Sequence, residues 1–367
     1  MVSSVIIRYI FNELGILYEI PDLYSIVLQA LCRIPRGKIT TYRDISKALG
    51  DTIAARAIGY IMKTNPCPDR YPCYKVISSD GSLGGYSLGS ERKSMLLQKE
   101  GVKVMGQKII DFEKHLVDIS DLRLPPVLLS MRRLQEFISD RVSLITERKN
   151  IRFVVTFDLS FVDGPLDIGI GVGCAFDVDN EELLGVGISF VPVFMPYIPT
   201  YLAFRELPAI LGSLSAVIEY IPRIDAIILD GQGILHPRGL GIASHAGVIT
   251  NIPSIGVAKS ILVGRISGKW TYRGDLKYAP VVYNNKVLGF LVIKNKHKIV
   301  VSPGHKFSVD DARDFVLSLE WPRNEAEPRI IRLPHKIASR IKEFVKKYPK
   351  LLESRSKGQK SLDDFFS

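Results

Sequence analysis

Three carboxylates and one cysteine stand where side chains could do chemistry. Residues 226–229, A-I-I-L, follow Ile224 and Asp225 as an apolar run without polar alternation, the pattern of a strand covered on both faces. The run ends in Asp230-Gly231-Gln232-Gly233. A carboxylate at the carboxyl end of a buried strand, followed by glycines, occupies the place where α/β sheets hold ligands. A second run, residues 151–161, embeds Asp158 among apolar neighbours. A buried Asp requires a partner or a metal. Residues 201–206, Y-L-A-F-R-E, set Glu206 at the start of an amphipathic helix. Asp158, Glu206 and Asp230 together are hard oxygen ligands suited to Mg2+, with Mn2+ as a substitute; magnesium keeps waters and binds substrate phosphate. Alone, Asp230 reads better as a strand-end Asp capping the next helix.

The carboxylates lie in an ordered set of motifs: F-D-L-S-F, P-Y-I-P followed by F-R-E, D-G-Q-G-I-L-H-P-R, then G-V-A-K-S. From about residue 128 to about residue 317 the chain resembles endonuclease V. The resemblance implies a ribonuclease-H-like α/β domain with a central mixed sheet, which cleaves near deaminated bases such as hypoxanthine. It implies Asp158, Glu206 and Asp230 as metal ligands and places His305, in S-P-G-H-K, at the metal site. Tyr197, held between Pro196 and Pro199, becomes a wedge beside the lesion, where an aromatic ring would separate bases by stacking. Lys259 could neutralise developing phosphate charge. His236, before Pro237, is a further nucleic-acid contact. Some of the family act on inosine in RNA, so an RNA substrate is the alternative.

Positioning these groups requires strands at 151–161 and 224–229, a hairpin from 167–178 and 183–193 turning at Asp179-Asn180, and a helix opening the domain over 128–145. A basic amphipathic helix is expected from Pro334 to Tyr348.

The cysteine belongs to a different region. Residues 23–34 have helical periodicity, Thr41 caps a helix over 42–49 that Gly50 closes, and a third runs to Lys63. The last pair forms a helix-turn-helix pattern with Arg56, Tyr60 and Lys63 on one face. Then come N-P-C-P-D-R-Y-P-C-Y-K-V-I, from Asn65, and G-G-Y-S, from Gly84. Over residues 23–102 the chain resembles the alkylguanine-DNA alkyltransferases, implying a small, helical, winged-helix-like domain. The resemblance makes Cys73 the one-use acceptor of alkyl groups from O-6 of guanine and Arg56 the finger that replaces the flipped base. Tyr42 crowds the target phosphate, Asn65 braces the turn, and Tyr86 and Ser87 line the base pocket. Such chemistry needs a base out of the stack and a thiolate. The family's His and Arg after the cysteine are Tyr74 and Lys75 here. Because a tyrosine does not readily accept a proton at pH 7, binding of alkylated bases without transfer is the alternative.

Composition sets the bounds. Net charge of +11 points to an anionic partner, here double-stranded DNA with alkylated or deaminated bases. The four cysteines form no C-x-x-C pair, so there is neither a zinc signature nor a disulfide framework. The chain should be cytoplasmic, with no membrane span. The expected domains are 1–117 for the alkyltransferase, a linker at 118–127, 128–349 for the nuclease, and a flexible tail at 350–367. That tail carries Gln359, Leu362, Phe365 and Phe366, and resembles the peptide that docks on sliding clamps. The fold class is thus multi-domain α/β, and the oligomeric state is open.

Overall fold

The computed structural model describes residues 4–7, 18–163, 167–323, 325 and 327–348. The chain divides into two compact units. One comprises residues 1–141 with 193–205; the other comprises 142–192 and everything from Glu206 onward. The tail residues Gln359, Leu362, Phe365 and Phe366 lie outside the described residues. No described helix is long and apolar enough to cross a membrane.

The first unit starts with a hairpin of β1 (Ser4–Ile7) and β2 (Tyr18–Pro21). Helix α1 (Leu23–Leu31) is capped by the Asp22 side chain, which accepts from the Ser25 N–H. The two-residue strand β3 (Thr40–Thr41) leads into α2 (Tyr42–Ala48), and Thr41 caps it as expected by accepting from the Asp44 N–H. A 3-10 turn at Thr52–Ala54 precedes α3 (Ala55–Lys63). Ile58, Ile61 and Met62 are buried, so α3 turns its exposed Arg56 outward. Strand β4 (Val76–Ile77) pairs with β3 in parallel, directly after the Cys73–Lys75 turn. Helix α4 (Ser90–Lys99), the hairpin β5 (Val104–Met105) and β6 (Lys108–Ile109), the short α5 (Phe112–His115) and α6 (Val127–Ser139) follow.

The second unit is built on a ten-stranded mixed sheet. Its strands are β7 (Phe153–Val162), β8 (Ile168–Asp177), β9 (Glu182–Pro192), β10 (Ala226–Asp230), β11 (Ser254–Ala258), β12 (Arg265–Ile266), β13 (Thr271–Arg273), β14 (Leu276–Tyr283), β15 (Lys286–Lys294) and β16 (His297–His305). The order is β12-β14-β15-β16-β11-β10-β7-β8-β9, with β13 also pairing β14. The central β7, β10 and β11 are mutually parallel. Helices α7 (Leu202–Val217), α8 (Ile242–Thr250), α9 (Val309–Ser318) and α10 (Arg329–Lys347) cover the faces.

The helices divide between the two faces according to strand parity. A Cβ on Gly171 or Gly187 would collide with the backbone of α7 at Ala209 or Ser213, and one on Gly173 with the Phe157 ring. These glycines let the helix lie close to the sheet, on the Phe157 face. Alternate residues point the other way. Val154, Val172, Ala226, Ile228, Ile255 and Val257 pack there in one core with Ile330, Ile331, Ala338 and Val345 of α10.

Helix α10 begins earlier than expected. Its apolar stripe runs through Pro334, which stands inside the helix rather than at its start. Proline has no N–H, so the Ile330 carbonyl loses its helical donor. The Thr156 hydroxyl of β7 fills that role, donating to Ile330 O at 2.7 Å. The bond ties α10 to β7 two residues before Asp158.

Candidate active sites

In the second unit, Phe157 of β7 is in register with Leu229 of β10, so Asp158 and Asp230 come level on adjacent parallel strands and share the α10 face. Asp158 is buried. Burial first, then the neighbouring Asp230 charge, push its carboxyl above the usual carboxylate range. Two basic side chains answer this pair. Lys259, just past β11, places Nζ 2.6 Å from Asp230 Oδ2. Burial presses the Lys259 ammonium down, but the Asp230 contact outweighs it and the net shift is upward. His335 of α10 places Nδ1 2.7 Å from Asp158 Oδ2. Glu327 completes the group; burial, then Asp230, raise its carboxyl. The loop after Asp230 is held tightly: a Cβ on Gly233 would sit 2.0 Å from Pro303 O.

His335 and Glu327 escaped the sequence reading, and His305 had been expected in their place. His305 pairs with Ser254, whose parallel partner Ile227 lies three residues before Asp230, toward the other end of β10. It is buried, its Nδ1 accepts from the Ser143 N–H at 3.1 Å, and burial lowers it to about 4. The neutral ring is a brace. His236, expected at the nucleic-acid interface, is 4% exposed and accepts from the Arg238 N–H, so it has no surface to offer a ligand. It neighbours His245, which burial and then the His236 charge lower to about 3. Glu206 is half-buried on α7, which covers the opposite sheet face. Among the described residues no three His, Cys, Asp or Glu side chains form a metal-ligating group. The register brings Asp158 and Asp230 together.

That pair suits a hard divalent cation. Two carboxylates on one face, one of them buried and raised by the other, call for positive charge, and waters or phosphate oxygens fill the remaining positions of magnesium. A cavity of about 600 Å³ lined by Arg152, Arg223 and Arg329 lies at the opposite end of the sheet, among structural ion pairs such as Arg152–Asp177.

In the first unit, Cys73 is buried in its 3-10 turn. Asn65 Nδ2 donates to Cys73 Sγ at 3.1 Å and to Tyr71 O at 2.8 Å, while Asn65 Oδ1 accepts from the Cys67 N–H. One amide thus holds both arms of the turn. Burial pushes the thiol up, opposed by the Asn65 bond and the charge of Lys93. Lys93, fully buried on α4, donates to Val76 O at 2.6 Å and Gly85 O at 3.3 Å. Burial lowers its ammonium to about 8, against a pull upward from Cys73. Tyr42 and Tyr86 face the same sulfur: burial, then Cys73, raise both hydroxyls. Ser87 is exposed beside Tyr86.

Tyr74 donates to Glu100 Oε1 at 2.6 Å. Burial, then this bond, raise its hydroxyl far above the ordinary value. Glu100 Oε2 accepts from the Gly37 N–H and lies 3.0 Å from Lys75 Nζ. Lys75 also donates to the carbonyls of Ile34 and Pro35. The two substitutions after the cysteine therefore form one buried brace. In the remaining loop Tyr197 is 56% exposed between buried Pro196 and Ile198, and Arg205 donates to Met195 O at 2.6 Å.

The Endonuclease V family model matches residues 136–336, more than half of the chain. The chain belongs to the endonuclease V family. A second model, the DNA-binding domain of 6-O-methylguanine DNA methyltransferase, matches residues 22–102 of this endonuclease V family member. The "Bifunctional methyltransferase/endonuclease" of Picrophilus torridus is 36% identical over 315 residues, covering 86% of this chain and 95% of the relative. That of Thermoplasma volcanium is 32% identical over 327 residues, covering 88% and 92%. The crystal structure of endonuclease V from Streptomyces avermitilis superposes with a TM-score of 0.52 at 27% identity, covering 59% of this chain and 94% of that one. The endonuclease V family is metal-dependent.

Proposed function

We propose that this chain is a bifunctional DNA repair enzyme that takes alkyl groups from O-6 of guanine onto Cys73 and nicks DNA near deaminated bases such as hypoxanthine. The observation that carries the nuclease reading is the level pair Asp158 and Asp230, each held by its own basic partner, His335 and Lys259. Asp158 and Asp230 would hold Mg2+, or Mn2+ in its place, with Glu206 assisting from α7. When bound, the metal supplies charge stabilisation and a more acidic water. Lys259 neutralises a phosphate oxygen beside Asp230. His335, oriented by Asp158, exchanges a proton with the water or the leaving oxygen. Tyr197 is the wedge. The second unit's sheet is of ribonuclease-H-like type, with the alkyltransferase domain winged-helix-like.

In alkyl transfer the Cys73 sulfur attacks the alkyl carbon. The S–C bond forms as the C–O6 bond breaks, the electron pair passes to O6, and guanine leaves after taking a proton. Asn65 orients the sulfur, Arg56 fills the vacated stack, and Tyr42, Tyr86 and Ser87 enclose the base. A second reading, recognition without transfer, rests on one observation: the side chain after the cysteine donates to Glu100 and accepts nothing.

We place the domains at 1–117 and 128–349 and the enzyme in the cytoplasm. Residues 359–366 dock on a sliding clamp. An oligonucleotide bearing a labelled alkylguanine tests transfer: label on Cys73 supports it, and binding without label supports the second reading. Matched deoxyinosine and inosine strands with magnesium test the nuclease, and cleavage of the RNA strand alone would reverse the substrate assignment.

A further inference from the structure

Residues 264–275, G-R-I-S-G-K-W-T-Y-R-G-D, are exposed throughout and contain β12 and β13, both of which pair with the outer edge of β14. The segment carries three cations, Arg265, Lys269 and Arg273, and one acid, Asp275, which is engaged 3.1 Å from Lys294. Tyr272, 71% exposed, lies opposite Lys277 in the β13–β14 register, and Lys277 Nζ stands 5.2 Å from the centre of the Trp270 ring. Trp270, Tyr272 and Lys277 therefore share one face. Lysine and arginine alone would protect a sheet edge from pairing with another chain. An exposed Trp and Tyr do the opposite, so edge protection does not account for the set.

The register locates this patch relative to the carboxylates. Asp230 is level with Val257, Val301, Phe290 and Pro280 on successive strands. Strand β14 runs antiparallel to β10, so Lys277, three residues before Pro280, lies about 10 Å beyond the level of Asp230, on the side where β10 ends. Five strand steps separate β10 from β13, about 24 Å across the sheet. Carboxylates and aromatics point from opposite faces but stand on the same rim of strand ends.

We infer that Trp270, Tyr272 and Lys277, with the exposed Lys269 beside them, form a stacking and phosphate-binding platform for the nucleic acid flanking the scission site. This rests on the nuclease reading above. The chemistry is charge complementarity to a polyanion plus π-faces for bases, the combination that holds a strand without reading its sequence. A span of about 24 Å corresponds to about seven nucleotides at 3.4 Å each. The platform therefore engages flanks of that length and not shorter ones.

The test uses the full chain without metal and deoxyinosine duplexes carrying 5-iodouracil at two, seven or twelve nucleotides on either side of the lesion. Irradiation should join the seven-nucleotide probe to the peptide containing residues 265–277. The Trp270→Ala/Tyr272→Ala variant should lose that cross-link. Its affinity for a long duplex should fall about fivefold or more, while affinity for a duplex trimmed to three nucleotides around the lesion stays unchanged. Cross-links confined to other peptides, or equal affinity losses on long and trimmed duplexes, would overturn the platform. Lys277→Glu supplies a second reading through a changed salt dependence. Cross-linking needs no turnover, so a failure of the nuclease reading shows separately, as a wild-type chain that leaves the lesion strand intact with magnesium.

Discussion

Replacing Tyr74 by histidine should accelerate alkyl transfer. An ordinary thiol near pKa 8.5 is about 3% thiolate at pH 7. Burial holds Cys73 above the ordinary value, so less than that is thiolate, and a group that accepted its proton would have about thirtyfold or more of rate to recover. Tyr74 is not that group, since its hydroxyl donates to Glu100 and is raised by burial and by that bond. In Tyr74→His one ring nitrogen can donate to Glu100 and leave the other to accept, with a water filling the space left by the shorter side chain. Single-turnover transfer from a labelled O-6-methylguanine duplex, followed from pH 6 to 9, reads the effect.

The wild type should gain about tenfold per pH unit until the thiol titrates, because its raised pKa favours thiolate only as pH rises. Tyr74→His should be faster at pH 7 and flatter above it. Tyr74→Phe, which frees Glu100 but accepts nothing, should show no gain. Equal rates for wild type and Tyr74→His across the range, or equal gains in the His and Phe variants, would refute proton acceptance as the missing element.

Magnesium should raise the thermal midpoint of the second unit's transition, and Asp158→Asn or Asp230→Asn should abolish both that shift and nicking, read by calorimetry and by gel. His335→Ala should cut nicking about a hundredfold with little change in melting, whereas His305→Ala should lower melting and leave the rate per folded molecule intact. Lys93 is charged in the unfolded chain up to about pH 10.4 but only to about 8 when folded. Its burial penalty is therefore full below pH 8 and relieved above it. Stability relative to Lys93→Met should rise by about 3 kcal/mol between pH 8 and 10.5, checked by denaturant titration. Deleting residues 359–367 should leave both activities on short oligonucleotides unchanged and remove binding to a sliding clamp in calorimetry.

The buried strands were the most legible part of the chain. Residues 151–161 and 226–229 declared β7 and β10 through their apolar character, with Asp158 embedded in the first and Asp230 ending the second, and the cap at Thr41 and the turn at Asp179-Asn180 followed from local chemistry. Such features depend on neighbours in sequence. Register does not, so that Asp158 and Asp230 come level was visible only in the sheet. The position of α7, which carries Glu206, was hidden for the same reason, because glycines on β8 and β9 draw that helix onto the Phe157 face.

His335 shows how a sound local rule misleads when a long-range bond overrides it. Proline favours the first turn of a helix, so Pro334 read as a start and His335 was passed over. Ile330 and Ile331 before the proline and Ala338 and Val345 after it keep one apolar face, and that continuous stripe was the available signal. The helix survives its internal proline because Thr156 takes the freed carbonyl. The same bond presses the next turn of α10 onto β7 and brings His335 to Asp158. Thr156→Val should therefore act on nicking through the position of His335. It should lower the rate in the way His335→Ala does, and the two substitutions together should cost little more than either alone. Additive losses would mean that Thr156 supports the fold and not the histidine.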